Sequence, residues 1–142
     1  MDCTVRWMGS DAGMAFVAET GTGHAVVMDG APEAGGRNIG ARPMEMLLAG
    51  TGGCSAFDVV MILKKARQDI TGCDVSLSAE RAETDPKVFT RIHLHYRIKG
   101  RQLKPEAVAR AIELSKEKYC SASIMLGKSA DITADYEIVD DK

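Results

Sequence analysis

The apolar segment at residues 42–67, "RPMEMLLAGTGGCSAFDVVMILKKAR", limits the possible folds more than any other part of the chain. It lacks a polar face, so it predicts one long helix that must be covered on every side. Glycine costs about 0.5–1 kcal/mol in a helix interior relative to alanine, yet Gly50, Gly52 and Gly53 lead directly into Cys54. Either another group closely approaches the backbone at these glycines, or the helix breaks and restarts at the cysteine.

We expect the helix to begin near Pro43, a favoured first-turn residue, and to run to about Gln68. Its apolar part is just under the length of a membrane span and contains Asp58, so we interpret it as core or interface, with no membrane partner. A chain of 142 residues would have difficulty covering such a helix alone. A second subunit is therefore a natural cover.

The bulk composition predicts a single globular domain spanning residues 1–142. Hydrophobic residues make up 45% and charged residues 27% of the chain, which is typical of a soluble protein. The formal net charge of -2 argues against a nucleic-acid partner, which usually requires a basic surface. The first residues show no basic segment followed by an apolar run, so we expect a cytoplasmic protein.

The cysteines give no sign of a structural metal site. In a cytosolic protein Cys3, Cys54, Cys73 and Cys120 should be reduced, and none of them forms a CxxC pair. The three histidines do not complete a zinc-type spacing either. We therefore expect neither a metal nor a bound cofactor.

The remaining pattern predicts an α+β fold. Short apolar segments at 2–8, 14–19 and 24–29 predict a β-meander, and the glycine- and proline-rich stretch 30–43 predicts a long loop. Alternating residues at 73–83 and 88–98 predict a hairpin that turns its Arg91, His93, His95 and Arg97 face to solvent. A helix at 104–118, a short helical turn ending at Gly127 and a strand at 130–140 complete the order βββ-α-ββ-α-β. Antiparallel hairpins without a repeated βαβ unit are expected.

Two cysteines lie in small-residue surroundings, Cys54 in "TGGCSAF" and Cys120 in "KYCSASI". Buried cysteines are usually inert, so a purely structural role for both is one reading. A helix that restarts near Gly53 would instead favour the Cys54 thiolate, whereas Asp58 one turn later would oppose it. A guanidinium from the nearby loop could stabilise the Cys54 thiolate and so decide between these opposing effects. The candidates for this role are Arg37 and Arg42.

The segment at 42–67 and the later "EKYCSASIMLG" together resemble the two cysteine motifs of the OsmC/Ohr family, the osmotically inducible and organic hydroperoxide resistance proteins. The likeness is greatest to the uncharacterised OsmC-like branch and extends over essentially the whole chain. It implies antiparallel sheets around a long central cysteine-bearing helix in an intertwined homodimer. In such a dimer the glycines would admit the partner helix and leave room for substrate beside Cys54.

The resemblance also implies a thiol-dependent peroxidase with a role in the oxidative stress response. Cys54 would be the peroxidatic cysteine and Cys120 the resolving one, and an external dithiol would reduce the resulting disulfide. Met44, Leu47 and Phe57 would form an apolar pocket for organic hydroperoxides.

The chain departs from the characterised peroxidases at their accessory residues. Their glutamate directly follows the helix-starting proline, where this chain has Met44, and Glu45 comes one residue later. Their arginine comes from the early hairpin, where residues 11–19 contain none, so Arg37 and Arg42 are substitutes by proximity in sequence. The alternative function is a non-catalytic or redox-sensing protein that binds a small apolar molecule.

Overall fold

Three short strands open the chain as an antiparallel meander in the order β1-β2-β3. They are β1 (Cys3–Trp7), β2 (Phe16–Thr20) and β3 (Ala25–Met28). The computed structural model describes all residues, 1–142, and they divide into two compact units, 1–48 and 49–142. The meander belongs to the first unit, which confirms the hairpin and third strand expected there.

The glycine-rich loop after β3 is held by one side chain. Asp29 is buried, and its carboxylate accepts backbone N–H bonds from Gly30 at 2.7 Å, Arg37 at 3.0 Å and Ile39 at 3.2 Å. Burial opposes ionisation of Asp29, but these three donors hold its pKa below the ordinary value. The loop is therefore fixed although it contains only one short 3₁₀ turn, Pro32–Ala34.

The central helix, α1 (Pro43–Lys65), runs through Cys54 without a break. The idea that it restarts at the cysteine is therefore wrong. Its first turn is capped by Glu45, whose Oε1 accepts the Arg42 backbone N–H at 2.9 Å, half of a capping box. It ends before the expected Gln68 because Arg67 takes a left-handed φ of 57° and the Gln68 N–H bonds back to the Leu63 carbonyl.

The second unit contains a three-stranded sheet in the order β4-β5-β6. Its strands are β4 (Asp69–Arg81), β5 (Phe89–Arg101) and β6 (Asp131–Asp140). The β4–β5 pair is antiparallel as expected, but β5 and β6 are parallel, which corrects the expectation of purely antiparallel sheets. Parallel pairing is possible here because the helical segment between β5 and β6 carries the chain back to the starting end of the sheet.

The two faces of this sheet differ as the alternation predicted. On β5, Ile92, Leu94, Tyr96 and Ile98 are buried, while the intervening side chains reach solvent. On the outer face, His93 and His95 both bond the Asp135 carboxylate of β6, at 3.0 and 2.7 Å. The solvated outer face is confirmed, with a β6 partner that the sequence had not indicated.

The expected helix at 104–118 consists of two parts. The α-helix α2 (Pro105–Leu114) buries Val108 and Ile112, and a π-helical turn, Ser115–Tyr119, follows it. The wider turn leads into the short helix α3 (Ser121–Leu126), and Cys120 is its N-cap residue. This segment therefore places the Cys120 side chain beside α1.

Candidate functional site

Cys54 and Cys120, distant in sequence, lie together in the second unit. Their Sγ atoms and a carboxylate oxygen of Asp58 all lie within 4.8 Å of one another. Cys54 and Asp58 are one turn apart on the same face of α1, since residues four apart are neighbours on a helix surface. The chain thus forms a site of two free thiols and one carboxylate.

Cys120 is the protected member of the pair. It is fully buried, its Sγ accepts the Ser123 backbone N–H at 3.4 Å, and it lies 4.0 Å from the Thr51 carbonyl oxygen. Burial raises the pKa of the Cys120 thiol and the neighbouring Cys54 adds to the rise, while the hydrogen bonds from Ser123 oppose it. The Cys120 side chain is therefore a neutral thiol at physiological pH.

Cys54 is the accessible member, with a half-buried side chain. Because α1 continues through it, the unpaired N–H groups of a helix end are not what surrounds its sulfur. The two cysteines therefore differ in how accessible their side chains are to solvent. A reagent from solvent therefore reaches Cys54 more readily than Cys120.

A chain of buried hydroxyl groups supports Asp58. The Ser115 Oγ bonds Asp58 Oδ2 at 3.1 Å and Ser55 Oγ at 3.0 Å, and Ser55 in turn bonds the Tyr96 hydroxyl. Burial raises the pKa of Tyr96, with the Ser55 hydrogen bond opposing the rise, so its hydroxyl stays neutral. Every buried polar side chain in this network has a partner, and the network fixes α1 to β5 and to the π-helical turn.

Sequence reasoning missed this network. The sequence predicts an effect of Asp58 on the charge of Cys54, but it does not identify Ser55, Ser115 and Tyr96 as parts of the site. One signal was present: Asp58 is a charged residue in an otherwise apolar helix interior, and such a charge requires buried partners. Tyr96 also fell on the buried side of the predicted strand.

The glycines of α1 have two different environments. A Cβ atom added to Gly52 would lie only 2.7 Å from Leu77 Cδ1, because the sheet closely approaches the helix there. A Cβ atom added to Gly50 or Gly53 would meet no neighbouring atom within 4 Å. Close approach is thus confirmed for Gly52, and the other two glycines face open space in the single chain.

An apolar groove of about 400 Å³ runs beside the carboxylate of Asp58. Phe57, one of the predicted substrate-binding residues, lines it and is 67% exposed. The other lining residues are Met61, Ile62, Lys65, Leu114 and Tyr119. Of the other predicted pocket residues, Met44 is half-buried and Leu47 is exposed, both in the first two turns of α1.

The predicted accessory residues Arg37, Arg42 and Glu45 belong to the first unit. The Arg37 guanidinium donates to the Asp11 carbonyl oxygen at 2.7 Å, and its backbone N–H is bound by Asp29. Glu45 caps α1 through the Arg42 backbone. Their participation in catalysis stays a prediction.

Comparison with known proteins agrees with this architecture. The sequence profile of the OsmC-like protein family matches residues 35–135. The chain is 48% identical to Protein YhfA of Escherichia coli strain K12 over 142 residues, which covers 98% of each chain. A hypothetical protein from Aquifex aeolicus has the same fold at 30% identity and a TM-score of 0.83, over 99% of this chain and 97% of that one.

A more distant structure carries a functional name. The organic hydroperoxide resistance protein OsmC from Legionella pneumophila matches with a TM-score of 0.67 at 18% identity, over 96% of this chain and 97% of that one. At that identity the likeness shows the fold alone.

The fold and the site define an α+β protein with two cysteines beside a long central helix. The chain belongs to the OsmC-like family.

Proposed function

We propose that this protein is a thiol-dependent peroxidase that reduces organic hydroperoxides, with Cys54 peroxidatic and Cys120 resolving. The observation that carries the proposal is the pairing of a half-exposed thiol with a fully buried one within 4.8 Å. A two-cysteine mechanism needs this asymmetry, because the first sulfur must meet peroxide and the second must be protected until the first is oxidised. Family membership supports the same class of chemistry.

In the first step the Cys54 thiolate attacks the hydroxyl oxygen of the hydroperoxide. An S–O bond forms, the O–O bond breaks, and the departing alkoxide takes up a proton to become the alcohol. Cys54 is left as a sulfenic acid. The peroxide has gained two electrons, and the sulfur has lost them.

In the second step the Cys120 thiol gives up its proton as its sulfur attacks Sγ of Cys54. The S–S bond forms, and the sulfenic oxygen leaves as water after taking up a proton. Since an S–S bond is about 2.05 Å long, the side chains must rotate toward each other from their separation in the reduced state. A dithiol from outside the protein then reduces the disulfide by thiol exchange, so the cycle needs no bound cofactor.

The groove beside Asp58 supports an apolar substrate. Phe57 and Met61 present hydrocarbon surface next to the site, which favours organic hydroperoxides over hydrogen peroxide. Met44 and Leu47 remain proposed substrate-binding residues. Arg37 and Arg42 remain the candidates for a guanidinium that stabilises the thiolate, and Glu45 remains a proposed accessory residue.

The active form is a homodimer in this proposal. α1 has the length and the mean hydropathy, 1.7, of a membrane span, a property that core helices of soluble proteins share. Phe57 is 67% exposed and Met61 39% exposed on it, and Gly50 and Gly53 face open space. A second copy of α1 would cover this surface, and we expect the dimer to work in the cytoplasm.

A second candidate is a redox-sensing protein that keeps the cysteines without rapid turnover. The observation that favours it is the Asp58 carboxylate beside the two sulfurs, at a place where a peroxidase would use a cation. A sensor would form its disulfide slowly and once, whereas a peroxidase would turn over many times with a dithiol.

The test is steady-state consumption of cumene hydroperoxide by the reduced protein with excess dithiothreitol. The peroxidase predicts multiple turnovers, complete loss of activity in Cys54→Ser, and overoxidation of Cys54 in Cys120→Ser. Cys73→Ser is the matched control, since Cys73 is a half-buried cysteine outside the pair, and it should keep wild-type activity. Turnover that persists in Cys54→Ser would overturn the assignment.

A further inference from the structure

We propose that the reduced cysteine pair and Asp58 form a binding site for a thiophilic divalent cation, with Zn²⁺ as the best fit. The three ligands are Cys54, Asp58 and Cys120. The site goes beyond the peroxidase function and does not depend on it. It also implies that the cation and the peroxide compete for the same two sulfurs.

The geometry supports a common metal centre. The two sulfurs and the carboxylate oxygen lie within 4.8 Å of one another. Zinc binds sulfur at about 2.3 Å and carboxylate oxygen at about 2.0–2.2 Å, so ligands of one tetrahedral ion stand roughly 3.5–4 Å apart. The three ligand atoms now lie within 4.8 Å of one another, and small side-chain rotations would bring them to the roughly 3.5–4 Å separation of zinc ligands.

The chemistry of the donors selects the metal. Two thiolates and one carboxylate form a borderline-soft set, which suits zinc and disfavours the hard cations Mg²⁺ and Ca²⁺. Binding releases two thiol protons to solvent, and no electron is transferred. The three negative charges brought together in this way are offset by the cation itself.

Neighbouring groups hydrogen-bond to the ligands or restrain them, as is usual for zinc ligands in proteins. Ser115 donates to Oδ2 of Asp58 at 3.1 Å, which fixes the carboxylate beside the two sulfurs. Cys54 and Asp58 share a face of a continuous helix, and Cys120 is anchored as the N-cap of α3. Ions would enter through the groove beside Asp58 and the half-exposed Cys54, where a water could take the fourth coordination position.

The linkage between the metal and the redox state follows from shared sulfurs. A disulfide between Cys54 and Cys120 removes both thiolates, so oxidation releases the cation. A bound cation in turn occupies the sulfur electron pairs that would attack a peroxide. Zinc would therefore protect the reduced pair and inhibit the proposed reaction.

The test is a titration of the reduced protein with Zn²⁺ against a chromophoric chelator, without oxygen or peroxide. The background is Cys3→Ser/Cys73→Ser, which removes the two cysteines outside the site. We expect one Zn²⁺ per chain, and Co²⁺ in its place should show a thiolate-to-metal charge-transfer band.

The ligand variants make the test specific to this site. Cys54→Ser and Cys120→Ser should each weaken binding at least a hundredfold, Asp58→Asn at least tenfold, and Ser115→Ala about tenfold. Circular dichroism checks that each variant is folded, and Ser115→Ala keeps the test decisive if Asp58→Asn does not fold.

Two results would overturn the site: no Zn²⁺ bound at micromolar concentrations, or wild-type affinity in both Asp58→Asn and Ser115→Ala. Because the titration contains no peroxide, its outcome is independent of the peroxidase assay. A protein that binds zinc without turnover would retain the metal site and lose the peroxidase proposal.

Discussion

The Ser115 hydroxyl donates to Oδ2 of Asp58 at 3.1 Å and so connects the π-helical turn to the central helix. The bond explains how α1 tolerates a carboxylate in an apolar helix. Asp58 belongs to a chain of hydroxyl groups that ends at the buried Tyr96, and no member of the chain lacks a partner. The same bond restrains the carboxylate, one oxygen of which lies within 4.8 Å of both sulfurs of the cysteine pair.

Ser115→Ala should lower the free energy of unfolding by about 1–3 kcal/mol, because both Asp58 and Ser55 lose a buried hydrogen-bond partner. Urea denaturation followed by circular dichroism measures the change. Ser78→Ala is the control, since Ser78 is exposed on β4, and it should stay within about 0.5 kcal/mol of wild type. Equal stability of the two variants would show that the network contributes little.

Tyr96 should make the protein sensitive to alkali. Burial raises its pKa in the folded state, so its contribution to stability is complete below the unfolded pKa of about 10 and is lost as the pH rises from there through the folded pKa. In Tyr96→Phe the decline in stability above pH 10 should be shallower than in wild type. Thermal melts between pH 8 and 11 measure the slopes, and Tyr119→Phe, at an exposed tyrosine, should behave as wild type. Identical slopes for all three proteins would contradict the argument.

The two cysteines should differ in their rate of alkylation. Cys54 is half-buried, whereas Cys120 is fully buried with a raised pKa, so iodoacetamide at pH 8 should modify Cys54 well before Cys120. Peptide mass mapping over time gives both rates, and exposed Cys3 provides an internal reference. Earlier modification of Cys120 would reverse the proposed roles.

Gly53→Ala tests the proposed dimer. In the single chain nothing lies within 4 Å of the added carbon, so the substitution should stabilise the helix by up to about 1 kcal/mol. A partner helix packed at Gly53 would instead be displaced, so sedimentation should show weaker association than wild type. The wild-type protein should sediment at twice the 15.3 kDa of the chain, and Lys64→Ala, at an exposed position of α1, should do the same. A monomeric wild type would exclude the dimer.

Much of the fold could be predicted from hydrophobic periodicity. The alternation at Ile92, Leu94 and Tyr96 reports burial on one face directly, and it identified β5 and its solvated side correctly. The parallel β5–β6 pair was not predicted, because neighbouring strands are selected by tertiary packing of the crossover helices and not by either strand alone. The break at Leu114 was missed for a similar reason, since the segment at 104–118 has good helical spacing and the π-helical turn depends on Ser115 being bonded inside the core.

The cysteine pair could be predicted from motifs, but its surroundings could not. The glycines before Cys54 gave a local signal, and family resemblance paired it with Cys120. Ser55 and Ser115 are ordinary serines in sequence, and only the crossing of α1 with the π-helical turn brings them together. Their role depends on contacts between residues far apart in the chain.

The most direct test of the central claim is to treat the reduced protein with one equivalent of cumene hydroperoxide and to measure its mass and its disulfides. We predict loss of two hydrogens per chain within one rapid phase, with Cys54 linked to Cys120 and cumyl alcohol released in equal amount. In Cys120→Ser the same treatment should leave a sulfenic acid on Cys54 that dimedone traps. An unchanged mass, or a disulfide that joins other cysteines, would contradict a peroxidase built on this pair.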